Sequence, residues 1–226
     1  MIIQQYDVSL VRLKLEHIEE LRYWRNSEKI SSRMHYRQYI TADMQQKWFD
    51  GINDIRTYLY MIIQFNGSNI GLAHGKDITT NNTEGGMFIW DDRFLQSHVP
   101  VVVSLFMSDL NFYFFSNTNT NCRILKTNKQ VIAYNISLGF KLCEGQESNE
   151  NQLYKLTRED YESNSSEIRG YLKNLFPNVD SDIVITLEEE DERNGVAAFI
   201  RKYYAHFDST NSPVVFRLQD SGTHLI

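Results

Sequence analysis

Two apolar runs, TYLYMIIQF and NIGLAHGKDI, flank the turn Asn66-Gly67-Ser68, and this arrangement constrains the fold more than any other stretch. Asn followed by Gly accepts the positive φ that a tight turn demands, so the two runs must fold back on each other as antiparallel strands. A hairpin in mid-chain commits the domain to a sheet, and something apolar must then cover it. From Val99 onward Val102, Val103, Phe106, Leu110 and Tyr113 recur at helical spacing, with Pro100 at a favoured first-turn position. That pattern predicts a long buried helix starting near Pro100.

The remaining segments fill in an order. VSLVRLKL (Val8 to Leu15) alternates as a first strand, and HIEELRYWRN follows as a helix with acids in its first turn. Thr41 caps a second helix, TADMQQKWFDGI. GGMFIW and CRIL read as strands, NKQVIAYNISL as a helix ended by Gly139, and FKLCEG and NQLYKL as closing strands. This order gives an α/β (α+β) chain: a mixed central sheet with helices on both faces. The polar stretch Tyr161 to Ser166 reads as a boundary, dividing a main domain, residues 1–162, from a small C-terminal α/β extension, residues 163–226. The extension offers a helix, the strand DIVITL, an acidic run from Glu188 to Glu192, a second helix and the strand PVVFRL. The acidic run is expected to be a solvated segment feeding a helix N-terminus. The extension is expected to cover a cleft or to pair protomers.

Composition excludes several function classes. A formal net charge of -6 argues against a surface that neutralises nucleic-acid phosphates. No run approaches the length needed to span a bilayer, and the start, MIIQQYDV, has no signal-peptide character. Cys122 and Cys143 have no histidines at zinc-ligand spacing, so no metal site is expected. Two reduced thiols and no signal place the protein in the cytoplasm, as an expectation.

Five pieces in order carry a family resemblance: VRLKLEHIEELRYWRNSEKISSRM, YITADMQQKWF, YMIIQFNGSNIGLAHGKDI, TEGGMFIWDDRFL and NKQVIAYNISLGFKLCEG. From Val8 to Tyr161 the chain resembles the GNAT N-acetyltransferases, in the branch that acetylates amino-sugar nucleotides and ribosomal-protein N-termini. Within that branch it is most similar to enzymes acetylating a 4-amino sugar nucleotide on the way to pseudaminic acid. The resemblance implies a splayed sheet, acetyl-CoA as co-substrate and a small-molecule amine as acceptor. It leaves a homodimer open. It also implies that Phe88, Ile89 and Trp90 offer a strand edge to the pantetheine arm. The following helix start, Gln96, Ser97, His98 and Val99, would then hold the pyrophosphate on backbone N–H groups. Asn128 matches the family asparagine near the pantetheine, or it simply caps its helix. Trp24, Arg25, Asn26, Met34 and Tyr36 would shape the acceptor pocket. Alternatively Trp24 packs in the core and Arg25 makes an ion pair.

The chain also departs from the family. The phosphate loop is usually glycine-rich, whereas here it reads LQSHVP, with His98 at the central glycine position. His98 either contacts a phosphate or fills space at the helix start. For proton transfer the candidates are Glu84 as base and Tyr134 as acid. The register aligned with the family acid falls on Asn135, so Tyr134 stands equally as a core residue, and Glu84 as a solvated turn residue. Two readings follow. One is an active acetyl-CoA-dependent N-acetyltransferase. The other is a GNAT-like module that binds without catalysing.

Overall fold

The computed structural model describes residues 1–221; the final residues of the expected extension, 222–226, lie outside the described residues. Ten strands form one sheet: β1 Ile2–Gln5, β2 Val8–Arg12, β3 Tyr58–Phe65, β4 Ser68–Lys76, β5 Thr83–Ile89, β6 Asn119–Leu125, β7 Lys141–Leu142, β8 Asn151–Thr157, β9 Ile183–Leu187 and β10 Phe216–Asp220. Their spatial order is β10-β9-β1-β2-β3-β4-β5-β6-β8-β7. The helices are α1 Ile18–Asn26, α2 Glu28–Ser31, α3 Ala42–Gly51, α4 Val99–Asp109, α5 Lys129–Ser137, α6 Arg158–Leu175, α7 Glu189–Arg193 and α8 Val196–Tyr204.

The expected hairpin is present. Asn66 (φ 49) and Gly67 (φ 73) both take positive φ between β3 and β4, the backbone twist that suits a two-residue connection. One hydrophobic cluster joins α4, α6 and α8 to one sheet face, with Met61, Ile63, Ala73 and Ile89 among its members. A smaller one packs α1 and α3 on the other face, around Ile62, Leu72 and Trp90. Period-2 alternation along β3 to β5 sends Tyr60, His74, Glu84 and Phe88 to the α1–α3 side.

β5 and β6 are parallel and seven residues long, yet they pair only at Thr83↔Thr120 and Glu84↔Asn121. Beyond that apex they diverge, and Gly86 is exposed. A buried amide network holds the apex. Asn117 Nδ2 donates towards Ile78 O at 2.8 Å, Asn111 Oδ1 at 2.9 Å and Thr83 Oγ1 at 3.2 Å. Asn121 Nδ2 reaches Thr83 O at 3.2 Å, and Asn111 Nδ2 reaches Asn119 O at 3.2 Å. Asn111 lies on the π-helical turn Leu110–Phe114 that ends α4, so the same network ties the helix to the apex.

Several expectations need correction. Tyr161 to Ser166 is no break, because it lies inside the continuous helix α6, and the boundary at 162/163 falls within that helix. Tyr161, Ser165 and Leu172 are its buried residues and sit at helical spacing, so the polar residues between them are its solvent face. β9 then pairs with β1, and β10 with β9. These strands extend the sheet at the edge opposite β6, so they do not cover the gap between β5 and β6. The acidic run is only partly solvated: Asp191 is buried, 2.5 Å from the Met1 amino group and 4.0 Å from Arg12. A strand before Val8, β1, also forms; it joins β2 through Tyr6 at φ 53.

Asn117→Ala leaves buried acceptors at Ile78, Thr83 and Asn111 without their donor. The expected cost is about 3 kcal/mol, a fall of about 6–12 °C in melting temperature for a chain of this size, measurable by thermal unfolding.

Candidate active site

The candidate site is the wedge between β5 and β6, with the start of α4 above it and the α1–α3 face in front. Strand alternation decides which backbone groups face the wedge. Trp90 N–H donates to Ile70 O at 2.9 Å, so Trp90 and, two residues back, Phe88 turn their backbone groups towards β4. Ile89 and Met87 therefore present theirs to the gap. Trp90 O also accepts from Lys29 Nζ at 2.7 Å. The Trp90 indole is buried, stacked on Trp24 with centroids 5.9 Å apart, and donates to Asn69 O.

The helix start divides its amides. Ser97 N–H donates to Phe94 O at 3.2 Å, and Val99 N–H to Ser97 Oγ at 3.2 Å. The amides of Gln96, His98 and Val101 have no acceptor among the described residues, and Pro100 carries no N–H. The His98 imidazole does not enter the wedge. Its Nε2 lies 2.9 Å and 3.0 Å from the Asp7 carboxylate oxygens, and its ring packs edge-on against Phe65 and Phe176 at 5.6 Å and 5.1 Å. Phe94 likewise packs on Phe65, at 5.1 Å.

The proton-transfer candidates are both committed. Tyr134 is packed between α5 and α4, its hydroxyl 2.8 Å from Ser104 Oγ and 3.1 Å from Pro100 O. Burial pushes its pKa up to about 12. Glu84 bridges two cations, with Arg123 Nε at 3.1 Å and Lys76 Nζ at 3.6 Å. Asn128 caps α5, its Oδ1 accepting from Val131 N–H at 3.3 Å.

On the α1–α3 side, Asn26 clamps the loop before α3, donating to Ile40 O at 2.9 Å and accepting from Ile40 N–H at 2.8 Å. Met34 packs in the small cluster and Tyr36 is exposed. Arg37 of the same loop reaches Glu150, next to the far end of β6, at 3.4 Å. The loop thus spans the front of the gap. Arg25 lies with its guanidinium over the Phe88 ring at 5.8 Å. It has no carboxylate partner among the described residues, and its buried Nε has no acceptor there. Burial lowers its pKa.

Sequence reading missed Tyr60 and His74. Their imidazole and phenol rings stack nearly parallel, 5.3 Å apart at 13°, and Trp48 meets Tyr60 edge-on at 5.1 Å. Burial lowers the His74 pKa to about 4, helped by Lys76 and Arg25, and raises that of Tyr60 to about 12. The signal was present: Leu72, His74 and Lys76 share one side of an alternating strand, and polarity enters that side midway. Among the described residues no group of three or more His, Cys, Asp or Glu is placed to hold a metal ion, and no helix is long and apolar enough to cross a membrane.

Acetyltransferases are among the solved structures that share this fold. A nucleotide-linked sugar GNAT in its apo form matches with a TM-score of 0.61 at 16% identity, over 76% of this chain and 98% of that one. The aminoglycoside acetyltransferase AAC(6')-Ib in complex with coenzyme A matches at 0.59 and 17% identity, over 70% and 99%. The N-acetyltransferase PseH of Campylobacter jejuni matches at 0.51 and 14% identity, over 68% and 99%. No protein-family model matches the chain, and no curated protein matches it in sequence. At these identities the likeness establishes the fold: a GNAT-like mixed sheet with helices on both faces.

A histidine kept neutral in the folded state makes stability depend on acid. The unfolded chain takes up a proton below about pH 6.5 that folded His74 refuses until about pH 4, so stability falls as pH drops through that window. The shift corresponds to about 3 kcal/mol at its full extent. His74→Gln should flatten this part of the profile, seen as a smaller loss of melting temperature between pH 6.5 and 4 than in the parent.

Proposed function

We propose that the protein is an acetyl-CoA-dependent N-acetyltransferase acting on a small amine that carries an anionic group, such as an amino-sugar nucleotide. The observation that carries this reading is the splay of β5 from β6 after two residue pairs. An extended pantetheine arm fits such a gap as an added strand, using the outward backbone groups of Met87 and Ile89. The pyrophosphate would rest on the unpaired amides at the start of α4, favoured by the helix dipole. The aminoglycoside acetyltransferase with this fold is a complex with coenzyme A. Glycine ordinarily leaves such a loop bare; here the His98 side chain is held away by Asp7 and Phe176.

The acceptor class is inferred from charge. Arg25, largely buried and without a carboxylate among the described residues, needs an anion to offset its desolvation. Ser32 to Ile40 contributes Arg33, His35 and Arg37, with no acid, to a chain of net charge -6. Exposed Tyr36 and Tyr39 add flat surfaces for a base or a sugar. A nucleotide-linked sugar GNAT is among the structures sharing the fold. The reaction joins the amine nitrogen to the acetyl carbon as the carbon–sulfur bond breaks, and the amine proton finally resides on the coenzyme thiol. The alternative, a non-catalytic module on the same fold, draws on the loss of loop glycines and on the two amides already committed.

Acetyl-CoA at about 100 times its dissociation constant should stabilise the protein by about 2.7 kcal/mol, a melting shift of about 5–10 °C. Incubation with acetyl-CoA and nucleotide-linked amino sugars should release free thiol. Thermal stabilisation without thiol release would select the binding module. Arg25→Met should raise KM for a phosphate-bearing amine by about 10–100-fold, the worth of a charged hydrogen bond, and much less for an amine without phosphate.

A further inference from the structure

If the wedge takes acetyl-CoA, the amine must lose a proton on the α1–α3 side near the apex, and Glu84 is tied to Arg123 and Lys76. The uncommitted basic group there is His74. It stands on β4 opposite Gly86 of β5, two residues past the last β5–β6 pair. Its ring leans over the Gly86 backbone: a Cβ on Gly86 would lie 2.8 Å from His74 Cε1 and 3.4 Å from Nε2. Tyr60 supports the opposite side of the ring by stacking. Neither ring nitrogen has a hydrogen-bond partner among the described residues, and the residue is half-buried, next to exposed Gly86.

Resting on the transferase reading above, we propose that His74 is the catalytic base, with a ring nitrogen receiving the acceptor amine's proton. The amine hydrogen-bonds to that nitrogen and directs its own lone pair at the thioester carbon. The C–N bond forms, the N–H proton passes to the imidazole, and the C–S electron pair leaves on sulfur. The proton then returns from the imidazolium to the thiolate, so no second acid is needed. The direction of that return follows from basicity: a thiol has a pKa near 8.5, whereas imidazolium at this site, enclosed and facing Lys76 and Arg25, gives up its proton readily. The charged and titratable groups around the ring are Tyr60 on β3, Lys76 on β4, Glu84 on β5 and Arg25 on α1. This scheme also accounts for Tyr134, whose hydroxyl can remain bonded between α5 and α4 throughout.

The test uses the full chain with acetyl-CoA and a nucleotide-linked 4-amino sugar, read as thiol release. His74→Gln should lower kcat by about 10²–10⁴-fold while the acetyl-CoA melting shift is unchanged. Gly86→Ala, which displaces the ring without removing it, should lower kcat in the same direction and add nothing in the His74→Gln background. If His74→Gln fails to fold, His74→Asn, which also lacks the imidazole, takes its place in both comparisons. A parent that turns over beside a His74→Gln variant within about threefold of it, or a Gly86→Ala loss that persists undiminished without the imidazole, overturns the role of His74 alone. A parent that releases no thiol with any amine tried overturns the transferase reading and this inference with it.

Discussion

The rest of the structure depends on how two parallel strands are held together at one end only. A parallel pair gains stability by lengthening its ladder, and β5 and β6 stop after two residue pairs. What replaces the missing ladder is the set of amides from Asn111, Asn117 and Asn121. Such groups are costly to bury unless satisfied, and each has its partners here. The clamp fixes where divergence begins, and so fixes the distance from the apex to Gly86, His74 and the outward backbone of Met87 and Ile89.

The C-terminal segment bears on this gap indirectly, through α4. At one end of the helix, buried Asp109 is held by Arg169 and Tyr161 of α6. At the other, His98 is held between Asp7, Phe65 and Phe176, the residue following α6. The helix is therefore braced at both termini by the segment that looked like an appendage. The bracing also answers the missing glycines. A loop leaves its backbone bare either by having no side chain or by fastening the side chain elsewhere. His98 follows the second route.

Much of the architecture was legible in the sequence because its signals were local. Asn66-Gly67 dictated a hairpin, the apolar spacing after Val99 dictated α4, and Gly139, at φ +100, ended α5. What was not legible depended on tertiary partners. Tyr161 to Ser166 looks like a linker until Ser165 is seen to be buried. Asp191 looks like one more surface acid until Arg12 and the Met1 amino group are brought to it from the far end of the chain. The candidate site divided in the same way. Order along the chain placed β5 ahead of the start of α4, but not which backbone groups are free: Phe88 and Trp90 turn theirs to β4, contrary to expectation, and the Ser97 and Val99 amides are already paired. The pairing of Glu84 with Arg123, the bond from Tyr134 to Ser104, and the stacking of His74 on Tyr60 all join residues from different elements, and no spacing rule reports them.

The placement of β9 and β10 has a consequence for self-association. Without β9, β1 would end the sheet as an open edge, a template onto which a second chain adds its own strand. β9 occupies that edge, and β10 in turn presents Arg217 and Asp220, charges that discourage further growth. A chain shortened before Ile183 would keep the wedge yet bare the backbone of Ile2 to Gln5, trading a finished border for an adhesive one.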